Sequence, residues 1–239
     1  MTEKLSDEFQ QIKDNLEEIE EKITRAAEKS GRKREDIILL AATKTVSPEK
    51  INYAISCGLN YIGENRVQEL ESKFEELDRE KTKIHLIGHL QSNKINKVLP
   101  MVDMIESVDS IKLAKKLSQK CIDLSIEMPI LLELNIANEE SKSGFKIEEL
   151  TEACYEIAKL KGIKINGIMS VPPMSATPEE NRKYLSRINQ IFIDIQGKKI
   201  DNVNMHILSA GMSGDYEVAI EEGSNLVRLG SSIFGRRQY

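Results

Sequence analysis

The stretch EDIILLAATKTVSPEK (Glu35–Lys50) joins a buried strand to a helix and places a lysine between them. Its apolar run predicts a strand over 37–43 with apolar side chains on both faces, as in parallel strands that are covered on both sides. Ser47 and Pro48 then mark a helix start, because serine caps helices and proline suits the first helical position. The stretch is therefore one β/α unit, with Lys44 at the carboxyl end of its strand.

The same strand-then-helix pattern repeats along the chain. Further apolar runs predict strands at 61–65, 84–90, 104–108, 129–136, 165–171, 203–209 and 226–230. Helical patterns lie between them at 47–58, 110–124, 146–162, 177–197 and 214–223. Eight such units in 239 residues predict an α/β protein with a single (β/α)8 TIM-type barrel, which typically takes about 250 residues. An open doubly wound sheet is the alternative, but it usually has fewer strands, and no G-x-G-x-x-G motif follows the first strand.

An extra helix precedes the barrel, and Gly31 is suited to end it. Its apolar stripe, spaced three and four residues apart, consists of Phe9, Ile12, Leu16, Ile19, Ile23 and Ala26. We predict that residues 1–31 dock this stripe on the barrel and that residues 1–239 form a single domain. The alternative is that the stripe pairs with another copy, so a monomer is expected and a dimer is the alternative.

Composition indicates an ordinary soluble protein and excludes several functions. Apolar residues make up 40% of the chain, charged residues make up 31%, and the net charge is −5. A mildly acidic chain has no general attraction for nucleic acid or anionic membranes, and no signal peptide or membrane span is recognisable. Cys57, Cys121 and Cys154 suit free thiols in a reducing cytoplasm. No metal is expected, because His85 and His89 do not converge on a strand and turn.

Lys44 lies on the expected active face, since the carboxyl ends of the strands carry the chemistry of such barrels. By alternation it shares a strand face with Leu40 and Ala42, and the small Ala42 leaves room beneath it. A desolvated lysine has a lowered pKa, so its neutral amine can attack a carbonyl and form a Schiff base. The alternative is that Lys44 turns to solvent in the loop.

Two loops rich in small residues follow the last two strands. SAGMSGDYEVAI begins at Ser209, and GSSIFG begins at Gly230. Ser213 is predicted to cap a helix that starts near Gly214. Loops at these two places usually hold phosphate in this barrel, because free N–H groups and a helix dipole favour a dianion. The alternative is that glycine and serine simply form tight turns.

Arg228 lies in the last strand, on the same face as Leu226 and Gly230. One strand face points into the barrel, where an isolated guanidinium would be very costly, so Arg228 needs a partner. A structural ion pair with a carboxylate such as Glu133 is one interpretation, and a functional role is the other.

A Schiff-base lysine, two phosphate loops and an inward arginine together suggest a phosphorylated aldehyde. Pyridoxal 5′-phosphate (PLP) is the phosphorylated aldehyde most commonly held by lysine.

These motifs resemble the YggS/PROSC family of pyridoxal phosphate homeostasis proteins over nearly the whole chain. The segments that carry the resemblance are AATKTVSPEKI, YIGENRVQE, IHLIGHLQSNK, ESVDS, NEESKSGF, GIMSVPP, LSAGMSGDYEVAI and VRLGSSIFGRRQY. The resemblance implies the alanine-racemase (fold type III) barrel. It implies a PLP site in which Lys44 carries the Schiff base, Arg228 faces the pyridine nitrogen, Asn65 lines the pocket and the phosphate is held by Ser213, Gly230 and Ser231, with Ser209 nearby.

The chain departs from the family at three positions. Ile84 stands where a tryptophan often precedes the strand-three histidine, and Ala210 replaces the second residue of the family's SMGMS. Both changes alter the pocket walls. Ser231 replaces a common threonine but keeps the hydroxyl, so the implied phosphate site is retained.

The resemblance implies a protein that stores, buffers or delivers PLP inside the cell and affects amino-acid and keto-acid balance, with PLP-dependent apoenzymes as recipients. A guanidinium beside the pyridine nitrogen disfavours protonation of the ring, which weakens it as an electron sink. Alanine racemases also take a second base from another domain, whereas this sequence ends at Tyr239. We therefore expect a binding protein and not an enzyme. The alternatives are a small racemase with a base from within the barrel and a Schiff-base aldolase, which is disfavoured because INGIMSV carries no lysine.

Overall fold

The structure, a computed structural model, describes residues 2–173 and 177–235. Its strands are β1 (Ile38–Ala42), β2 (Tyr61–Glu64), β3 (Lys83–Leu86), β4 (Met104–Val108), β5 (Met128–Leu134), β6 (Ile163–Ser170), β7 (Val203–Met212) and β8 (Leu226–Leu229). Each strand pairs in parallel with its neighbours in sequence, and β8 pairs with β1, so the sheet closes into a barrel. The predicted (β/α)8 fold is therefore confirmed.

Helices alternate with the strands around the outside. They are α1 (Thr2–Lys29), α2 (Pro48–Ser56), α3 (Val67–Lys73), α4 (Ile95–Val98), α5 (Ile111–Asp123), α6 (Ile147–Ala158), α7 (Pro178–Gly197), α8 (Tyr216–Glu221) and α9 (Ser231–Phe234). The sequence pattern did not predict α3 and α4, because seven and four residues are too few for a helical period to be recognised. Of the helices described, none has the length and apolar character needed to cross a bilayer.

A layer of apolar side chains fills the barrel interior below the carboxyl ends of the strands. It consists of Leu40, Met104, Leu131, Met169, Ile207 and Leu226. Because strand side chains alternate, the next inward residues on β1, β4 and β8 are Ala42, Glu106 and Arg228. The apolar layer therefore forms a floor, and the polar inward residues lie between this floor and the mouth of the barrel.

Helix α1 lies across the helices that follow the last two strands. Its stripe residues Ile12, Leu16, Ile19, Ile23 and Ala26 are all buried. Asn15 Nδ2 donates to the Ile233 carbonyl oxygen in α9 over 2.8 Å, and Lys29 forms an ion pair with Glu221 of α8 over 3.0 Å. The helix thus braces the loops that open from β7 and β8.

Gly167 in β6 gives a prediction about the barrel wall. A Cβ added there would collide with the Ile207 carbonyl oxygen, and the residue has a φ of +153°. We expect Gly167→Ala to lower the free energy of unfolding by about 2–3 kcal/mol, because the close contact between the strands leaves no room for the added methyl group. Gly197→Ala at the end of α7 is the control, since a Cβ there meets nothing within 4 Å. Equal unfolding midpoints in urea for the two variants would contradict this account.

Candidate functional site

Lys44 lies two residues beyond β1 and is half-buried at the mouth of the barrel. The Thr43 N–H donates to the Gly63 carbonyl oxygen over 3.0 Å, which continues the strand pairing up to the lysine. Thr45 then turns the chain with a φ of 64°. This left-handed conformation costs a residue other than glycine about 1–2 kcal/mol, so the surrounding structure must hold it in place. Lys44 is therefore fixed at a sharp turn and is not a freely exposed loop residue.

Ser213, Gly230, Ser231 and Ser232 form a small cradle, the name used for these four residues below. The Ser213 hydroxyl oxygen accepts the backbone N–H groups of Gly230 and Ser232, each over 3.3 Å. A Cβ on Gly230 would lie 3.2 Å from the Ala42 carbonyl oxygen and would crowd this space. Ser231 is exposed at the first position of α9. The cradle thus brings together backbone N–H and hydroxyl groups from the loops after β7 and β8.

The predicted capping role of Ser213 is wrong. Helix α8 begins at Tyr216 with Asp215 as its N-cap residue, and the Asp215 carboxylate accepts the Met212 N–H over 2.7 Å. That contact closes the turn locally. It leaves the Ser213 hydroxyl to reach across to the loop after β8, which a pattern confined to one loop could not indicate.

Arg228 is buried and points into the barrel, between the apolar floor and the mouth. It donates from Nη1 to the Ser209 carbonyl oxygen over 2.9 Å and to the Ser209 hydroxyl oxygen, and from Nη2 to the Ser170 carbonyl oxygen over 2.9 Å. Its nearest carboxylate belongs to Glu106, with Nη1 and Oε2 3.9 Å apart. The guanidinium is therefore held in one orientation by fixed acceptors.

Glu106 supplies the negative charge of this interior network. His85 Nδ1 lies 2.7 Å from its Oε1, and the Ser209 hydroxyl donates to its Oε2 over 2.6 Å. Burial alone would raise the pKa of Glu106, but the hydrogen bond and charge of His85, the charge of Arg228 and the Ser209 bond bring the pKa below its usual value. An ionised carboxylate only accepts, so His85 carries its proton on Nδ1.

Glu106 was not predicted as a site residue, because it lies within β4 and not at the carboxyl end, where the chemistry of such barrels is expected. A signal was present, since Glu106 shares the inward face of β4 with Met104. The suggested ion-pair partner of Arg228, Glu133, is half-buried, and its Oε2 has no hydrogen-bond partner among the described residues. Burial and the nearby Asp109 raise the pKa of Glu133.

Ser209, which the resemblance sets near the phosphate, forms its bonds in the barrel interior. Its side chain is fully buried, and its hydroxyl is committed to Glu106 and Arg228. The carbonyl and hydroxyl oxygens of Ser209 both accept hydrogen bonds from Arg228. Its distance from the cradle follows from the strand, because Ser209 lies inside β7 and Ser213 lies beyond its end.

Four adjacent strands bring the predicted site residues to one edge of the barrel. The register pairs Met212 with Arg228 and Ala41 with Leu229, so the cradle lies beside the chain that leads to Lys44. On the other side Ala42 pairs with Gly63, and half-buried Asn65 directly follows β2. A Cβ on Gly88 would collide with the Asn65 backbone, so that loop is packed tightly as well.

These donors fit a phosphorylated aldehyde. The cradle offers N–H and hydroxyl groups that suit a phosphate, glycine keeps the space beside Ala42 open, and an amine follows the neighbouring strand. The buried guanidinium adds a fixed cation deeper in the barrel. The fold and site thus define a class of (β/α)8 barrel with donors suited to a phosphate at the carboxyl edge of its sheet.

Comparison with known proteins identifies the family. A family model described as "Alanine racemase, N-terminal domain" matches residues 10–238. A pyridoxal phosphate homeostasis protein of Aquifex aeolicus is 38% identical over 226 residues, which cover 95% of this chain and 98% of the relative. The chain therefore belongs to the alanine racemase N-terminal domain family, among its pyridoxal phosphate homeostasis proteins.

Solved structures agree with this assignment. A crystal structure described as that of an unknown protein from Bifidobacterium adolescentis superposes with a TM-score of 0.90 at 38% identity, covering 95% of each chain. PipY of Synechococcus elongatus, in a structure with PLP bound, superposes with a TM-score of 0.77 at 30% identity and covers 84% of this chain and 93% of PipY. The resemblance to pyridoxal phosphate homeostasis proteins is confirmed.

Proposed function

We propose that this chain binds PLP covalently through Lys44 and serves to store, buffer or deliver the cofactor. The observation that supports the proposal is the parallel register of β7, β8 and β1, whose carboxyl ends lead to Ser213, Gly230 and Lys44. The presence of PLP in PipY and the names of the relatives support it. Titration of the purified chain with PLP, followed by its absorbance before and after dialysis, tests the proposal. Complete loss of the cofactor on dialysis would contradict it.

Each residue of the site has a proposed task. Bound PLP supplies an aldehyde that condenses with an amine. Lys44 Nζ provides that amine, the cradle N–H groups and hydroxyls hold the phosphate, and Arg228 faces the pyridine nitrogen. Asn65 forms part of the pocket wall. Glu106 and Ser209 keep the guanidinium in place through the bonds described above.

Binding without turnover is the favoured role. Arg228 is a permanent cation in the barrel interior, and a cation beside the pyridine nitrogen disfavours protonation of the ring. The ring is then a poor acceptor for the electrons that racemisation or transamination releases. The relatives are named homeostasis proteins, which supports the same interpretation. The proposed recipients are PLP-dependent apoenzymes, and the proposed setting is the cytoplasm.

Removing the two cradle hydroxyls is expected to weaken cofactor binding. Ser213→Ala and Ser231→Ala should each cost about 1.5–3 kcal/mol of binding free energy, since each removes a hydrogen bond to a charged phosphate. The measurement is the dissociation constant for PLP in the single and double variants. Ser56→Ala on α2 is the control, because Ser56 is exposed and its hydroxyl donates to the Tyr53 carbonyl oxygen within its own helix. Unchanged affinity in the double variant would move the phosphate elsewhere.

The chain is expected to give no substantial racemisation of alanine or serine. The reason is that Arg228, beside the pyridine nitrogen, weakens the cofactor ring as an electron sink. The measurement is chiral chromatography of each amino acid after incubation with PLP-loaded protein. Racemisation that Lys44→Ala abolishes would instead establish the alternative, a small racemase of this fold.

A further inference from the structure

A buried ion cluster lies beside the turn that carries Lys44. Lys73 of α3 places its Nζ 2.6 Å from an oxygen of Glu64 and 3.6 Å from an oxygen of Glu69. The side chains of Lys73 and Glu64 are 6% and 0% exposed, whereas that of Glu69 is 24% exposed. Burying charges in this way is costly and is often no more stabilising than apolar packing, so the cluster calls for another explanation.

The members of the cluster bond to residues on both sides of Lys44. Lys73 Nζ donates to the Thr43 carbonyl oxygen over 2.9 Å and to the Val46 carbonyl oxygen over 3.4 Å. The Thr43 hydroxyl donates to Glu64. Lys44 is thus the residue that projects from a segment anchored before and after it.

The strained residue of the turn is also bonded to the cluster. Thr45, with a φ of 64°, donates its N–H to Glu69. That bond favours the left-handed conformation that sets the direction in which the chain leaves Lys44. Without it, the segment from Thr43 to Val46 could relax toward ordinary backbone angles and turn the lysine away from the cradle.

We propose that Glu64, Glu69 and Lys73 are positioning residues that aim Lys44 at the aldehyde carbon of PLP. The inference rests on the proposed function. It can be tested separately, because the cradle belongs to the loops after β7 and β8, and its bonds to Ser213 involve none of the three cluster residues. Loss of the cluster should therefore weaken covalent attachment and leave phosphate binding intact.

The test compares two ligands across four variants. PLP reports covalent attachment by its absorbance, and pyridoxine 5′-phosphate, which lacks the aldehyde, reports the cradle alone. The variants are Glu69→Ala, Glu69→Gln, Lys73→Met and the control Glu71→Ala, whose residue lies on the same helix in an exposed pair with Lys97. Glu69→Gln keeps an oxygen that can accept the Thr45 N–H.

We expect Glu69→Ala and Lys73→Met to weaken covalent attachment about tenfold, as for loss of a hydrogen bond to a charged group. Their affinity for pyridoxine 5′-phosphate should stay within about twofold of wild type, as expected for independent sites. Glu69→Gln should restore most of the attachment, and Glu71→Ala should match wild type. If Lys73→Met does not fold, the comparison of Glu69→Ala with Glu69→Gln is sufficient for the test.

Unchanged attachment in Glu69→Ala, or a parallel loss of both ligands, would overturn the inference. A wild-type protein that does not attach PLP would instead overturn the proposed function. These results are distinguishable, because the first two concern variants of a wild-type protein that attaches PLP, whereas the third concerns the wild-type protein itself.

Discussion

Lys44→Ala is expected to abolish covalent attachment of PLP and the yellow colour of the purified protein. Half-buried Lys44 follows β1, which pairs with the strand that leads into the cradle, and the variant removes the amine proposed to form the bond. The measurement is the visible absorbance of wild-type and variant protein after incubation with PLP and dialysis. Because phosphate contacts remain, weak non-covalent binding should persist in the variant.

Lys50→Ala is the matched control for that experiment. Lys50 lies six residues later on α2, is also half-buried, and forms an ion pair with Glu8 over 3.0 Å. The control should keep the wild-type absorbance. A Lys44→Ala protein that stays yellow after dialysis would show that another amine carries the cofactor.

Glu106→Ala is expected to lower the free energy of unfolding by about 3–5 kcal/mol, the usual cost of removing one partner from a buried charge pair. The variant leaves Arg228 without its nearest carboxylate and removes an acceptor from both His85 and Ser209. Urea unfolding of the two proteins gives the difference. Glu127→Ala, at an exposed position just before β5, should change the stability little. A loss of less than about 1 kcal/mol for Glu106→Ala would contradict the role assigned to this network.

The contribution of Glu106 should also depend on pH. Its pKa in the folded protein lies below the ordinary value of 4.5, so the folded state holds this proton less tightly than the unfolded chain. The stabilisation is therefore fully present above that value and is lost as the pH falls through the folded pKa. The stability difference between wild type and Glu106→Ala should be largest at neutral pH and should narrow in acid.

The barrel could be predicted from the sequence because its signals are local. Each unit repeats an apolar run and an amphipathic helix, and the observed β4 has the predicted bounds, Met104–Val108. Alternation along β8 also put Arg228 on the same face as Leu226, which belongs to the interior layer. Residues 174–176 and 236–239, which include the end of the last motif and Tyr239, lie outside the described part of the chain.

The contacts that define the site could not be predicted, because they join distant parts of the chain. Ser213 bonds to an N–H that lies 17 residues away, and Ser209 bonds to a carboxylate 103 residues away. Neither separation is visible in a local pattern, so Ser213 was predicted to cap a helix and the bonds of Ser209 were not predicted. The cluster around Lys73 was not predicted for the same reason. Its bond to Thr43 spans 30 residues and depends on the pairing of β1 with β2.

Reduction of PLP-loaded protein with borohydride, followed by peptide mapping, tests the central claim most directly. Borohydride converts the reversible bond between an amine and the cofactor into a permanent one, so the label marks the attachment residue. We predict a phosphopyridoxyl label on the peptide that contains Lys44 and on no other lysine. A label on a different lysine, or no label at all, would contradict the account.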